Sequence, residues 1–291
     1  MSTPINHHYV SQCQQREFFS SEKGKIFVYD KEKKNHYFKR TTKTLFSEDN
    51  LNTRSINDKI DPSQLELELR VMFEEDYTKH VNNVKKFITD QENKDVTYES
   101  LMWLMMLGIL GELRHPNFKS SFDSFIQTID IDVISRKTGR PKSDIESWIK
   151  KGRKTKFRND LGYLDTACRT LERMEPFDFA IFTIESSDIF ILPDTSSFNI
   201  RGQLHPYINP LIREITEIGI PITEKIFILG TSKHLKIPDA SGIQFIRENN
   251  SKIVHEINKD LFHFAYKAVA ASDDQKLKLI IENIELDMNQ K

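Results

Sequence analysis

Cysteine is almost absent. Cys13 and Cys168 are the two thiols in 291 residues, too few for a disulfide framework or a thiolate metal site, so a reducing, cytoplasmic setting is expected. Glycine is sparse and dispersed: ten residues never form a cradle ahead of a helix, which argues against a triphosphate-binding loop and a Rossmann cofactor. No Gly-x-Ser-x-Gly elbow offers a serine nucleophile, and no His-Glu-x-x-His offers a metal set. Long apolar runs are missing as well. The longest, Leu101 to Leu110, falls short of the roughly 20 residues that cross a bilayer and reads as a buried core helix, so no membrane contact is expected. Residues Met1 to His8 lack a basic segment followed by an apolar run, so secretion is not expected either. Lys plus Arg number 42 against 43 Asp plus Glu, so only a local cluster can argue for an anionic partner.

What is present is enough to fold. Twenty Phe residues, each able to bury a large apolar surface, set the chain apart from disordered compositions. Lys25 to Asp30 and Tyr37 to Thr42 read as two strands of a hairpin, and the polar residues 47 to 63 as a surface connection. From Pro62 the period changes: Leu65, Leu69, Met72, Phe73, Tyr77, Val81, Val84 and Ile88 predict a helix opened by Asp61-Pro62. A second helix over Tyr98 to Leu113 is apolar almost all round and ends at His115-Pro116. Two or three further helices fill 118 to 175. Phe179 to Ile184, Asp188 to Leu192 and Lys225 to Leu229 then have the length and composition of strands. Ser251 to Ala271 predicts a helix, and the tail from Asp273 another. The expectation is an α+β fold: an amino-terminal β-hairpin, a central helical region and a carboxy-terminal mixed sheet with a packed final helix. Residues 1–291 form a single compact unit in which the hairpin joins or flanks the later sheet.

Several short motifs stand in a recognisable order. Asn6-His7-His8-Tyr9-Val10 precedes Phe18-Phe19 and Ile26-Phe27-Val28-Tyr29-Asp30; Phe73-Glu74-Glu75 lies in the first long helix and Arg114-His115-Pro116 ends the apolar one. Phe190-Ile191-Leu192-Pro193-Asp194, Ile220-Pro221-Ile222 and Ile257-Asn258 follow. This order resembles the bacterial domain of unknown function 4238 family over nearly the whole chain. Two positions depart from the family pattern, Ser11 where a Pro is usual and Asp194-Thr195-Ser196 where Asp-x-Pro is common.

Those landmarks supply the candidate chemistry. His7 and His8, and His8 above all, offer a general base, a metal ligand or a phosphate contact; the plain alternative is a histidine that pins the chain through a backbone hydrogen bond. Glu74 or Glu75 and Asp194 can position a metal or a water, and Arg114 can clamp a phosphate. A buried Arg–carboxylate pair is the competing reading of the same residues. A divalent metal is one cofactor this set allows, with no established motif behind it.

Residues 130–160 stand apart. Between Ile131 and Arg158 lie ten cations (Arg136, Lys137, Arg140, Lys142, Lys150, Lys151, Arg153, Lys154, Lys156 and Arg158) and three anions, a local excess of seven. Val133 to Arg140 and Ser143 to Ile149 have the helix, glycine turn and helix rhythm of a helix-turn-helix unit, with Ser143 as the cap of its second helix. A solvated helical face has this charge pattern too; a track for a phosphate backbone is the functional reading. Together these features lead to an enzyme that cleaves phosphodiesters in nucleic acid, with His8, Glu74 and Asp194 as base or metal ligands and Arg114 on the phosphate. A bacterial defence or toxin setting is implied by the resemblance. The alternative is a non-catalytic module that binds or senses nucleic acid or a protein through the same patch, and oligomeric state stays open.

Overall fold

A computed structural model describes residues 6–56, 59–61, 63–128, 130–154, 162–202, 214–234 and 242–289. Strand β1 (Asn6–His8) leads into helix α1 (Gln12–Arg16), where the side chain of Ser11 accepts from the Gln14 N–H as an N-cap. The hairpin follows as β2 (Ile26–Asp30) and β3 (Asn35–Lys39), with Asp30 accepting from the N–H groups of Glu32 and Lys33 to close the turn. The stretch 47 to 63 is more than a surface connection. Strand β4 (Ser47–Asp49) pairs with β1, β5 (Arg54–Ile56) pairs with β6 (Lys59–Asp61), and Leu51, Asn52 and Thr53 are buried. Its polar side chains had suggested water, but Asn52 faces a polar interior.

The first helical region is divided. Leu65, Leu69, Phe73, Tyr77 and Val81 are spaced four apart, and on an ideal helix that spacing would drift about 160° between first and last. Helix α2 (Gln64–Leu69), a wider π turn over Arg70–Glu74 and helix α3 (Tyr77–Asp90) take up the drift, and all five side chains are buried. Met72 is off the stripe and exposed. Pro62, expected to open this helix, lies outside the described residues. Helix α4 (Lys94–Arg114) is the apolar core helix; it is long and apolar enough to span a membrane, yet most of its apolar stretch is buried against the rest of the fold. His115 is extended, as the residue before a proline must be, and α5 (Pro116–Thr128) starts at once. Helices α6 (Ile131–Thr138), α7 (Lys142–Lys154) and α8 (Tyr163–Met174) complete the centre.

Beyond them come β7 (Phe177–Ile184), β8 (Leu192–Pro193), β9 (Phe198–Gly202), β10 (Glu214–Thr223), β11 (Ile226–Ser232), β12 (Ile243–Glu248), α9 (Ser251–Phe264), β13 (Ala268–Ala271) and α10 (Asp274–Asn289). A five-stranded sheet runs β12-β7-β11-β10-β9, with β12 parallel to β7 and the other pairs antiparallel, so the expected mixed sheet is present. Alternation fixes its two faces: Phe177, Phe179, Ile181 and Ile228 meet α3, α4 and α8, while Phe182, Ile184, Phe227 and Leu229 meet α9 and α10. A second sheet, β3-β2-β13-β8, joins the amino-terminal hairpin to the carboxy-terminal strand.

Two expected elements are corrected. The helix read through to Ala271 ends at Phe264, because the run from Ala268 is drawn into the second sheet between β2 and β8. Of the strand read from Asp188, only Leu192–Pro193 pairs; Asn258 instead accepts from the Ile191 N–H and donates to the Ile189 carbonyl, standing in for a neighbouring strand.

Helix α4 and the turn after β8 approach closely at Gly111, where an added Cβ would run into the Thr195 carbonyl oxygen and the Ser196 Cβ. Backbone cannot yield as a flexible side chain can. Gly111→Ala is therefore expected to destabilise the fold by about 1–3 kcal/mol, read as a lower urea midpoint with an unchanged slope.

Candidate functional site

Neighbouring residues of a strand point to opposite faces, so β1 sends His7 and His8 apart. His8 Nε2 lies 2.9 Å from the Thr42 carbonyl oxygen, which can only accept, so the proton sits on Nε2. Its Nδ1 is left as an acceptor facing the Gln12 amide nitrogen at 3.5 Å, and the Thr42 hydroxyl orients that amide by donating to Gln12 Oε1 at 2.8 Å. His7 has the same tautomer, with Nδ1 accepting from the Asn52 N–H at 2.8 Å and the proton on Nε2. His8 is 5% exposed, and burial pushes its pKa below the ordinary histidine value. The Thr42 carbonyl and the charges of Glu66 and Glu74 oppose that shift; Arg114 adds to it.

Arg114, at the end of α4, is 3% exposed and donates through Nη2 to the His8 carbonyl oxygen. The same nitrogen lies 3.7 Å from Glu66 Oε2, which accepts from Asn52 Nδ2 at 2.6 Å. Two buried atoms of this set, Arg114 Nε and Asn52 Oδ1, have no hydrogen-bond partner among the described residues. A donor and an acceptor left over on side chains that meet at one carboxylate oxygen are what a water or a polar ligand atom would satisfy. Glu74 is half-buried on the π turn; its charge reaches both His8 and Cys13, and its carbonyl oxygen accepts from the Cys13 thiol.

Asp194 belongs to a different network. It is fully buried: Oδ1 accepts from the Tyr266 N–H, and Oδ2 from those of Lys267 and Ala268, at 2.7 to 3.1 Å. His115 Nε2 lies 3.4 Å from Oδ2, and because His115 Nδ1 accepts from the Asn117 N–H, it is Nε2 that carries the proton. Tyr266 stacks on the His115 ring and Tyr9 meets it edge-on. The two networks touch through adjacent residues: His8 and Arg114 meet in one, Tyr9 and His115 in the other. The structure thus brings His8 and Arg114 into contact, leaves Glu74 within electrostatic reach of His8, and sets Asp194 apart, with its lone pairs spent on backbone. Asn52, Glu66 and His115 were not singled out by sequence; Glu66 looks like any solvated helical carboxylate, and His115 like a helix stop.

No three metal-ligating groups gather at His8 among the described residues. Among the described residues, the three ligand-type groups that gather within 4.8 Å are His255, Glu256 and Asp287. There the Lys259 ammonium already stands 2.9 Å from Asp287 and 3.7 Å from Glu256, in a cation's place.

The basic segment forms the expected pair of helices. Asp130 caps α6, Gly139 ends it in the left-handed conformation at φ +70°, and Gly139-Arg140-Pro141 is the turn. Helix α7 begins at Lys142, so Ser143 lies inside its first turn rather than at the cap. The pair has its own small core: Ile145 and Ile149 are buried against Ile131 and Ile134. Arg136, Arg140 and Lys142 are exposed, with Lys142 2.8 Å from Asp132. Lys150, Lys151, Arg153 and Lys154 lie on α7. Lys156 and Arg158 lie outside the described residues.

A family model described as a protein of unknown function, DUF4238, matches residues 6–275, and the chain belongs to that family. No curated protein and no solved structure matches it.

The depressed pKa of His8 has a consequence for stability. A histidine harder to protonate when folded binds fewer protons than in the unfolded chain, so stability is full above the ordinary value of about 6.5 and falls as pH drops below it. Unfolding midpoints measured across that range should decline less steeply in His8→Gln than in the parent. The remaining slope belongs in part to His36 and His80, whose pKa values burial also lowers.

Proposed function

We propose that this DUF4238 protein binds nucleic acid, laying a phosphate backbone along the exposed cations of α6 and α7. The observation that carries the reading is that these helices close a small apolar core of their own around a three-residue glycine turn, leaving Arg136, Arg140 and Lys142 to water. Backbone contacts of this kind neutralise phosphates and release counterions, so affinity falls steeply with salt and depends little on sequence.

A second reading, phosphodiester cleavage, is favoured by one feature. The Thr42 carbonyl holds His8 as the neutral Nε2–H tautomer, which leaves Nδ1 as an acceptor; the Gln12 amide faces it at 3.5 Å and would give way to a water for a general-base role. In that reading Nδ1 takes the proton of a water as its oxygen attacks phosphorus, and the leaving oxygen departs with the displaced strand. A defence or toxin role belongs to this reading and not to the first.

Filter binding of labelled DNA and RNA across a salt series tests the proposal. The expected result is binding at low salt with a steep slope; Arg136→Glu with Arg140→Glu should weaken it at least roughly tenfold and flatten the slope by about one per lost phosphate contact. Absence of binding to either polymer at low salt would sink it. Cleavage is judged separately: product that disappears in His8→Gln while binding persists supports the second reading, and intact substrate in the parent protein ends it.

A further inference from the structure

Beside the His115–Asp194 network the surface opens into a cleft of about 380 Å³, lined among others by Glu112, Ser197, Asn199, Arg201, Phe264 and Tyr266. Its volume lies in the range of small-molecule sites. Three features say what would fit it. Tyr266 is 41% exposed, but one face of its ring is held against buried His115, with centroids 4.4 Å apart and planes inclined by 27°. The plane is therefore fixed before any ligand arrives, and Phe264 forms a second apolar wall, itself held 5.8 Å from Phe198. A preset aromatic plane is a platform for a flat ring.

Asn199 supplies direction. It is 5% exposed and donates through Nδ2 to Glu112 Oε2 at 2.6 Å, which fixes the orientation of its amide. Its Oδ1 is then a buried acceptor with no partner among the described residues. Such an atom costs stability unless a donor arrives, and a ligand N–H would satisfy it. Charge supplies the third constraint. Arg201 donates to Glu112 Oε1 at 2.7 Å, so the one cation and the one anion of the wall cancel, and the part of a ligand held inside should be neutral.

A nucleobase, a flat neutral ring bearing an N–H donor at its edge, meets all three constraints. We propose that this cleft binds a purine carrying an exocyclic amino group, its ring stacked on Tyr266 and its amino group donating to Asn199 Oδ1. Arg201 also lines an adjoining cleft, where Arg173 pairs with Glu214 at 3.5 Å. The proposal does not rest on α6 and α7. The base can come from a free nucleoside or from an unstacked position in a strand, and both present the same ring.

Calorimetric titration of the full chain with adenosine, guanosine and inosine tests it. Inosine shares the ring and keeps an N1–H but lacks the exocyclic amino group, so it separates an amino donor from a ring N–H. Adenosine or guanosine should bind, inosine should bind about tenfold more weakly, and Tyr266→Ala should cost roughly fivefold or more where Tyr266→Phe does not. A short single-stranded oligonucleotide that binds more tightly than the nucleoside identifies a strand as the source; equal affinity identifies the free nucleoside. No heat or saturation transfer with adenosine or guanosine at millimolar concentration overturns the proposal, as does inosine binding equal to both, a comparison that needs no variant. The Arg136→Glu, Arg140→Glu protein should titrate unchanged with nucleoside, so failure of polymer binding and failure of this site are separable.

Discussion

The buried carboxylate of Asp194 organises the carboxy-terminal half of the molecule. A charge or a polar group without water must be met by hydrogen bonds, and here three consecutive N–H groups, from Tyr266 to Ala268, turn toward one side chain. That requirement ends α9, bends the chain and delivers β13 to its place between β2 and β8. His115 approaches the same carboxylate from the end of α4, so the core helix, the final strand and the turn after β8 share one anchor.

Around that anchor the protein is held by polar contacts between distant parts of the chain. Buried Gln14 donates to the carbonyl oxygens of Ser196 and Pro221 and accepts from the Ser196 hydroxyl, tying α1 to the far sheet. Arg114 ties α4 to β1, and Asn52 and Glu66 close the loop between them. Ser11 caps α1 and Ser196 meets Gln14, so both serines are used. Such networks are rigid when every member is satisfied, and the buried atoms without a hydrogen-bond partner among the described residues include Arg114 Nε and Asn52 Oδ1 near His8 and Asn199 Oδ1 in the cleft.

Periodicity and composition made much of the fold legible. The hairpin at β2 and β3, the core helix α4, strands β7 and β11 and the basic helical pair all follow from local pattern. What local pattern could not reveal depends on partners far along the chain. Ala268 to Ala271 continue a plausible helical spacing, and only the neighbours β2 and β8 make them a strand. Asn52 and Thr53 are polar yet buried, which no window of sequence distinguishes from a loop in water. The site shows the same division. His8 and Arg114 were visible as unusual residues at element ends, whereas Glu66 and Asn52 acquire meaning only through the atoms they touch. Asp194, read from the sequence as a base or metal ligand, is committed by its surroundings to holding the chain.

Asn258 carries a consequence for behaviour in a crowded solution. By occupying the Ile189 carbonyl and the Ile191 N–H, it leaves β8 as an edge strand of two residues, one of them Pro193. An edge that short, ending in a residue without an N–H, offers little template for another chain to add a strand. At the opposite edge the exposed ring of Phe38 on β3 lies under Lys25 at 4.2 Å, with Arg40 close by. Both ends of the small sheet are thereby guarded against self-association, one by truncation and one by charge.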